Sequence, residues 1–207
     1  MAGLFAMKKV VIGITGATGT SIGFRTLETL NQLGIETHVI ISRWGLQTLT
    51  QETCHSLDDI RSIADFIYPS GDMGAKISSG SFQVDGMLIV PCSMRSLAAI
   101  ATGLGDNLIH RAADVTIKER RKLVIIPRET PLSTIHLKHM LTLSKLGAVI
   151  MPPNPAYYAH PSNINDILDQ FVGRMLDQLG IDSPNIERWD GIKASSGEIV
   201  PLDPADK

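Results

Sequence analysis

A chain of 207 residues with a formal net charge of −2 suits one domain with a sizeable core and lacks the basic excess of a nucleic-acid binder. No apolar run approaches the roughly 20 residues that cross a bilayer. The two cysteines, Cys54 and Cys92, make neither a disulfide framework nor a zinc spacing. These features point to a reduced, cytoplasmic protein with no nucleic-acid or membrane partner. MAGLFAMKKVVIGI is not read as a signal peptide, because the lysines follow the first apolar residues and no cleavage site is present; residues 1–7 are read as an N-terminal extension.

KKVVIGI (8–14) is an apolar strand ending in TGATGT. In SIGFRTLETLNQLG, Ile22, Leu27, Leu30 and Leu33 recur at near-helical spacing, and Gly34 is a natural stop. ETHVIIS (36–42) is the next strand and WGLQTLTQET a short helix. SLDDIRSIADFIY begins as a helix, and PSGDMGAKISSGSF is a turn-rich loop. MLIVPCS (87–93) is a buried strand, MRSLAAIATG the helix after it, and LIHRAADVTIKERR another helix. KLVIIP is a strand, STIHLKHMLTLSKLG a helix and GAVIMPP the last strand. After NPAYYAHPS, the segment NINDILDQFVGRMLDQLGI places Ile164, Ile167, Leu168, Phe171, Met175 and Leu179 on one helical face.

Short apolar strands alternating with helices predict a single α/β domain over 8–181, three layers thick with a parallel sheet, followed by an extended arm over 182–207. Ligands of such sheets sit beyond the carboxyl ends of the strands. That rule brings four loops to one rim: TGATGT, SRW, PCSMRS and PRETPL.

Gly16-Ala17-Thr18-Gly19 joins a strand to a helix, so its amides can meet a phosphate or simply let strand and helix pack closely. The glycines recur every third residue, which departs from the dinucleotide fingerprint; a nucleotide-type phosphate is the favoured ligand of the loop, and FMN would suit a single-domain chain. Ser93 and Ser96 can cap the helix after PC or bond a ligand. Cys92 is expected to be an inert buried thiol. Arg111 and Lys118 are seven residues apart and share a helical face, with Asp114 between them. Asp114 and Lys118 have the spacing of a surface ion pair, so this charge is either a solvated rim or an anion site. Arg128 and Glu129 follow a buried strand directly, on the ligand rim. Arg174 alone would be an ion-pair partner for Asp177, and the six histidines show no metal-ligand spacing.

GITGATG, SSGSF, PCSMRSLAAIATGLGDNLIHRAADVTIKERR, PRETPLSTIHL and GAVIMPPNPAYY together resemble the flavin prenyltransferase family, the UbiX and Pad1 group, whose members have also been regarded as components of aromatic-acid decarboxylases. The resemblance implies a flavodoxin-like fold, a homododecamer with sites between subunits, and an enzyme that joins dimethylallyl phosphate to N5 and C6 of reduced FMN. The prenylated FMN would serve a separate UbiD-type decarboxylase. The FMN contacts it implies are Gly16, Ala17, Thr18, Ser42, Ser93, Met94, Arg95, Ser96 and Arg128. Lys118, Tyr158 and Arg174 match the prenyl phosphate contacts, with Arg111 nearby, and Glu52 and Glu129 match acidic residues at the flavin edge. Thr18 stands where many members have serine. A tryptophan that some members carry is missing around Met73, which leaves the donor as monophosphate or diphosphate.

The allylic phosphate leaves with nearly two negative charges. Many isoprenoid enzymes stabilise it with magnesium on a D-D-x-x-D motif, but this chain has Asp58, Asp59 and then Ser62. No metal is therefore expected; Lys118, Arg174, Tyr158 and Arg111 take its place. Glu129, Glu52 and Thr18 are candidates to move the proton released at C6, and Tyr158 and Trp44 to shield positive charge. Two rival readings are a flavin carrier within a decarboxylase complex and a peptidyl-cysteine-type flavin decarboxylase. The second is opposed by PCSMRS and PPNPAYY, where those enzymes have P-A-S-A-N-T and P-A-M-N.

Overall fold

The computed structural model describes residues 8–184 and 186–191. The proposed extension over 1–7 and most of the proposed arm, 192–207, lie outside the described residues. Six parallel strands, β1 (Lys9–Ile14), β2 (Glu36–Ile41), β3 (Phe66–Pro69), β4 (Gly86–Cys92), β5 (Lys122–Pro127) and β6 (Val149–Ile150), form one sheet. Seven α-helices connect them: α1 (Thr20–Gln32), α2 (Arg43–Glu52), α3 (Leu57–Ile63), α4 (Met94–Ala101), α5 (Leu108–Lys118), α6 (Thr134–Lys145) and α7 (Ile164–Gln178).

The strand order is β3-β2-β1-β4-β5-β6. Without the short edge strand β3 it is the five-stranded flavodoxin order, with its switch point between β1 and β4. Alternate strand residues feed two cores, as the two-residue repeat of a strand requires. Val10, Ile12, Ile14, Leu88, Val90, Val124 and Ile126 pack under α1, α2, α3 and α7. Val11, Met87, Ile89, Leu123 and Ile125 pack under α4, α5 and α6. Both faces are covered, which makes three layers.

Two expected elements differ. FIYP, given no element of its own after the helical start of SLDDIRSIADFIY, is the edge strand β3. GAVIMPP shrinks to a two-residue strand, Val149–Ile150, because Pro152 and Pro153 have no amide to offer the ladder. Described residues of the arm pack on α7: Glu187 exchanges backbone hydrogen bonds with the Gln170 side chain at 2.8 and 2.9 Å. Ile186 lies over Gly173, where an added Cβ would sit 1.9 Å from Ile186 Cγ2.

Candidate functional site

The switch-point loops converge as the sequence suggests. Gly19 adopts φ 97°, the left-handed conformation glycine tolerates, and opens α1. Gly16 passes so close to Trp44 that a Cβ would lie 2.4 Å from the Trp44 Cβ. Ser42 caps α2 by accepting from the Gly45 amide at 3.0 Å, and Ser93 caps α4 by accepting from the Ser96 amide at 3.3 Å. Thr15 joins the two halves: its hydroxyl donates to Pro91 O at 2.9 Å and accepts from the Ser93 amide at 2.7 Å.

These groups line a cavity of 360 Å³ whose walls include Gly16, Ser42, Trp44, Ser93, Arg95 and Ser96. His110, Asn107 and Ser70 also face it, and sequence reasoning singled out none of them. No spacing signalled Asp106, which lies ahead of the Asn107 cap of α5; Ser70 follows β3, a strand the sequence did not mark.

Glu52 reaches this loop from the end of α2. Its carboxylate accepts from the amides of Gly19 (2.9 Å) and Thr20 (3.0 Å) and from the Thr20 hydroxyl (2.8 Å). The amino terminus of α1 therefore already holds an anion from within the chain, and those two amides are not free for a phosphate. Burial disfavours the charged form, but hydrogen bonds from Thr18, Thr20 and the amides outweigh it and hold the carboxyl below its usual value.

Arg128 and Glu129 emerge exposed from the carboxyl end of β5, with the Arg128 amide on Cys92 O at 3.1 Å and the Glu129 carboxylate on the Thr130 amide at 3.1 Å. Cys92 is fully buried and its thiol is pushed far up by desolvation, which fits the inert reading.

Tyr158 and Arg174 share a second cavity, of 420 Å³, past the end of β6, with Met151, Asn154 and Phe171. Gln170 donates to the Tyr158 hydroxyl at 3.3 Å, and Trp189 meets the Tyr158 ring edge-on at 5.5 Å. Arg174 pairs with Asp177 at 3.2 Å as the sequence suggests, but Asp177 is shared with Arg188 at 3.0 Å.

Lys118 lies elsewhere in the chain. The Leu108 amide binds Ser70 O at the ligand rim, and Lys118 ends α5 just before β5 begins at Lys122. The helix runs against the strands, so Lys118 stands at their amino ends, about 12 Å along the axis from His110 at 1.5 Å per residue. The expected pair of Asp114 with Lys118 is replaced: Asp114 binds Arg111 at 2.8 Å, and Lys118 binds Glu119 at 2.6 Å. Arg111 also donates to Ser78 O at 3.1 Å, and Arg121 to Gly80 O and Phe82 O, so this face of α5 is tied to the SSGSF loop. A cavity of 530 Å³ with Lys118, Arg120, Arg121 and Lys145 opens beside it.

Among the described residues no group of three or more His, Cys, Asp or Glu side chains could hold a metal ion, and no helix is long and apolar enough to cross a membrane.

Strand order, switch point and serine-capped loops define an α/β protein of flavodoxin type. Residues 5–176 match the family model described as Flavoprotein. The mitochondrial flavin prenyltransferase PAD1 of Saccharomyces cerevisiae is 52% identical over 187 residues, 90% of this chain and 77% of that one. The crystal structure of AnUbiX (PadA1) in complex with FMN and dimethylallyl pyrophosphate gives a TM-score of 0.89 at 48% identity, covering 90% of this chain and 99% of that chain. A dodecameric FMN-dependent UbiX-like decarboxylase from Escherichia coli O157:H7 gives 0.87 at 48% identity, covering 88% and 100%. This chain belongs to the flavin prenyltransferase family of flavoproteins.

Proposed function

We propose that the protein transfers a dimethylallyl group from its phosphate or diphosphate to N5 and C6 of reduced FMN. The observation that carries this reading is the convergence of Tyr158 and Arg174 in one cavity beyond the sheet, in a chain whose relatives are flavin prenyltransferases. The hydroxyls of Ser42, Ser93 and Ser96 and the Arg95 guanidinium around the switch-point cavity suit the ribityl chain, the polar ring edge and the phosphate of FMN. Reduced flavin supplies the nucleophilic nitrogen and the ring carbon at which the product closes.

Lys118, Tyr158, Arg174 and Arg111 balance the charge of the departing phosphate, the work a divalent cation does in other prenyl transfers. Each cation in a single chain already has an acidic neighbour (Asp114, Glu119 or Asp177) and is about half exposed. Lys118 of one subunit reaches the flavin rim of another, which agrees with the dodecameric relative. Gly16, Ala17, Thr18, Met94 and Arg128 border the flavin. Glu129, Glu52 and Thr18 receive or hold the proton released on ring closure. The product then goes to a separate UbiD-type aromatic-acid decarboxylase, and the protein works in the cytoplasm.

Anaerobic incubation with reduced FMN and dimethylallyl phosphate, and in parallel the diphosphate, should yield a flavin heavier by one C5H8 unit. Unmodified FMN with both donors would overturn the reading. Release of CO2 from 4′-phosphopantothenoylcysteine would point instead to the peptidyl-cysteine chemistry.

A further inference from the structure

Four side chains form a hydrogen-bonded line into the switch-point cavity. His110 is 2% exposed, on the first turn of α5. Its Nδ1 lies 2.5 Å from Asp106 Oδ1 and its Nε2 3.1 Å from Ser96 Oγ. Ser93 Oγ lies 3.3 Å from Ser96 Oγ. Asn107 steadies both ends, accepting from the His110 amide at 3.0 Å and donating to Asp106 Oδ1 at 3.2 Å.

The proton positions follow from what each group can do. A carboxylate only accepts, so Nδ1 carries the hydrogen facing Asp106. Burial disfavours a second proton on the ring, and Asp106 offsets this only in part. Nε2 is then a bare lone pair, and the Ser96 hydroxyl must donate to it. With its hydrogen engaged there and one lone pair accepting from the Ser93 hydroxyl, the Ser96 oxygen offers the cavity its remaining lone pair.

We infer that Asp106 and His110 are positioning residues that fix the Ser96 hydroxyl as an acceptor for a hydrogen-bond donor of the bound flavin. This rests on the flavin reading above. Neither residue touches the ligand on this account, and both act through Ser96. The arrangement parallels the second-sphere carboxylate that fixes a histidine tautomer in hydrolases, without assigning Ser96 any nucleophilic role.

The test is a double-mutant cycle on FMN affinity, read by flavin fluorescence, with Asp106→Asn, Ser96→Ala and the two combined. The amide introduced at 106 can donate to Nδ1, which moves the ring hydrogen to Nε2 and turns the Ser96 hydrogen toward the ligand. Asp106→Asn should weaken FMN roughly fivefold to tenfold when Ser96 is present. In the Ser96→Ala background it should change affinity by no more than about twofold. Asp106 also faces Arg95 at 3.4 Å, and an effect through that contact would persist without Ser96. Equal weakening in both backgrounds, or none with Ser96 present, would overturn the inference. His110→Ala, run through the same cycle beside thermal melts, covers the case in which Asp106→Asn fails to fold. A wild-type protein that binds no FMN would overturn the functional reading itself, a distinct outcome.

Discussion

The Glu52 carboxylate sits on the amide of Gly19 at 2.9 Å, so the last residue of α2 caps the first turn of α1. Sequence inspection pairs that glycine loop with a ligand phosphate; the structure pairs it with a side chain 33 residues away. The loop is thereby braced before any ligand arrives, and a charged residue at the proposed flavin edge is held ionised.

Removing that charge should destabilise the fold. Glu52→Gln leaves the amides with a weaker acceptor, at a cost of about 1 kcal/mol in urea unfolding at pH 7. The folded carboxyl is held below its usual value, so its contribution is present above the unfolded value near 4.5 and is lost as pH falls through the folded one. The gap between wild type and Glu52→Gln should close on acidification. A gap that persists at pH 3 would contradict the charge-based account.

Subunit complementation tests the separation of Lys118 from the flavin rim. Lys118→Ala and Glu129→Gln should each be nearly inactive in product formation. Mixed oligomers of the two, made by co-expression with different tags, contain sites that draw an intact Lys118 from one subunit and an intact Glu129 from another. They should regain part of the wild-type rate. A mixture as inactive as its components would mean that both residues serve one site from the same chain.

His38 gives a pH signature apart from the site. Its ring is fully buried, bonded to Glu36 at 2.9 Å and Tyr68 at 3.0 Å, and stacked on Phe66 at 4.8 Å. Desolvation lowers its pKa, with Glu36 pulling the other way. The unfolded chain then binds the proton more readily, so this contribution is present above about pH 6.5 and is lost as pH falls through the depressed folded value. Unfolding free energies at pH 7.5 and 5.5 should fall less in His38→Phe than in wild type. An equal fall would assign the pH dependence to other groups.

The two cysteines should differ sharply toward a thiol reagent. Cys54 is exposed, whereas Cys92 is buried with its thiolate strongly disfavoured. The folded protein should therefore release about one equivalent of chromophore promptly and the second only in denaturant. Prompt reaction of both would remove the case against a reactive Cys92.

Much of this molecule was legible in its sequence. Uninterrupted apolar runs such as VVIGI and KLVIIP mark strands buried on both faces, and every loop assigned to the rim from the end of such a run lies at the sheet's carboxyl edge. FIYP was not legible, because a four-residue edge strand that is half exposed has too few turns of its pattern to separate it from the helix before it. The role of Glu52 at Gly19 and the line from Asp106 to Ser96 depend on contacts between distant segments, which no spacing along the chain encodes. Lys118 shows the opposite limit. Its helical position was correct, yet a helical face does not say whether its ligand belongs to the same subunit.

The most direct test of the account is the fate of the flavin when metal is withheld. Protein stripped with a chelator and given reduced FMN with a dimethylallyl donor should form the C5H8 adduct at the untreated rate, while Lys118→Ala and Arg174→Ala should lose most of it. Adduct formation that stops with the chelator and returns with magnesium, undiminished in both variants, would contradict the claim that these side chains carry the leaving phosphate's charge.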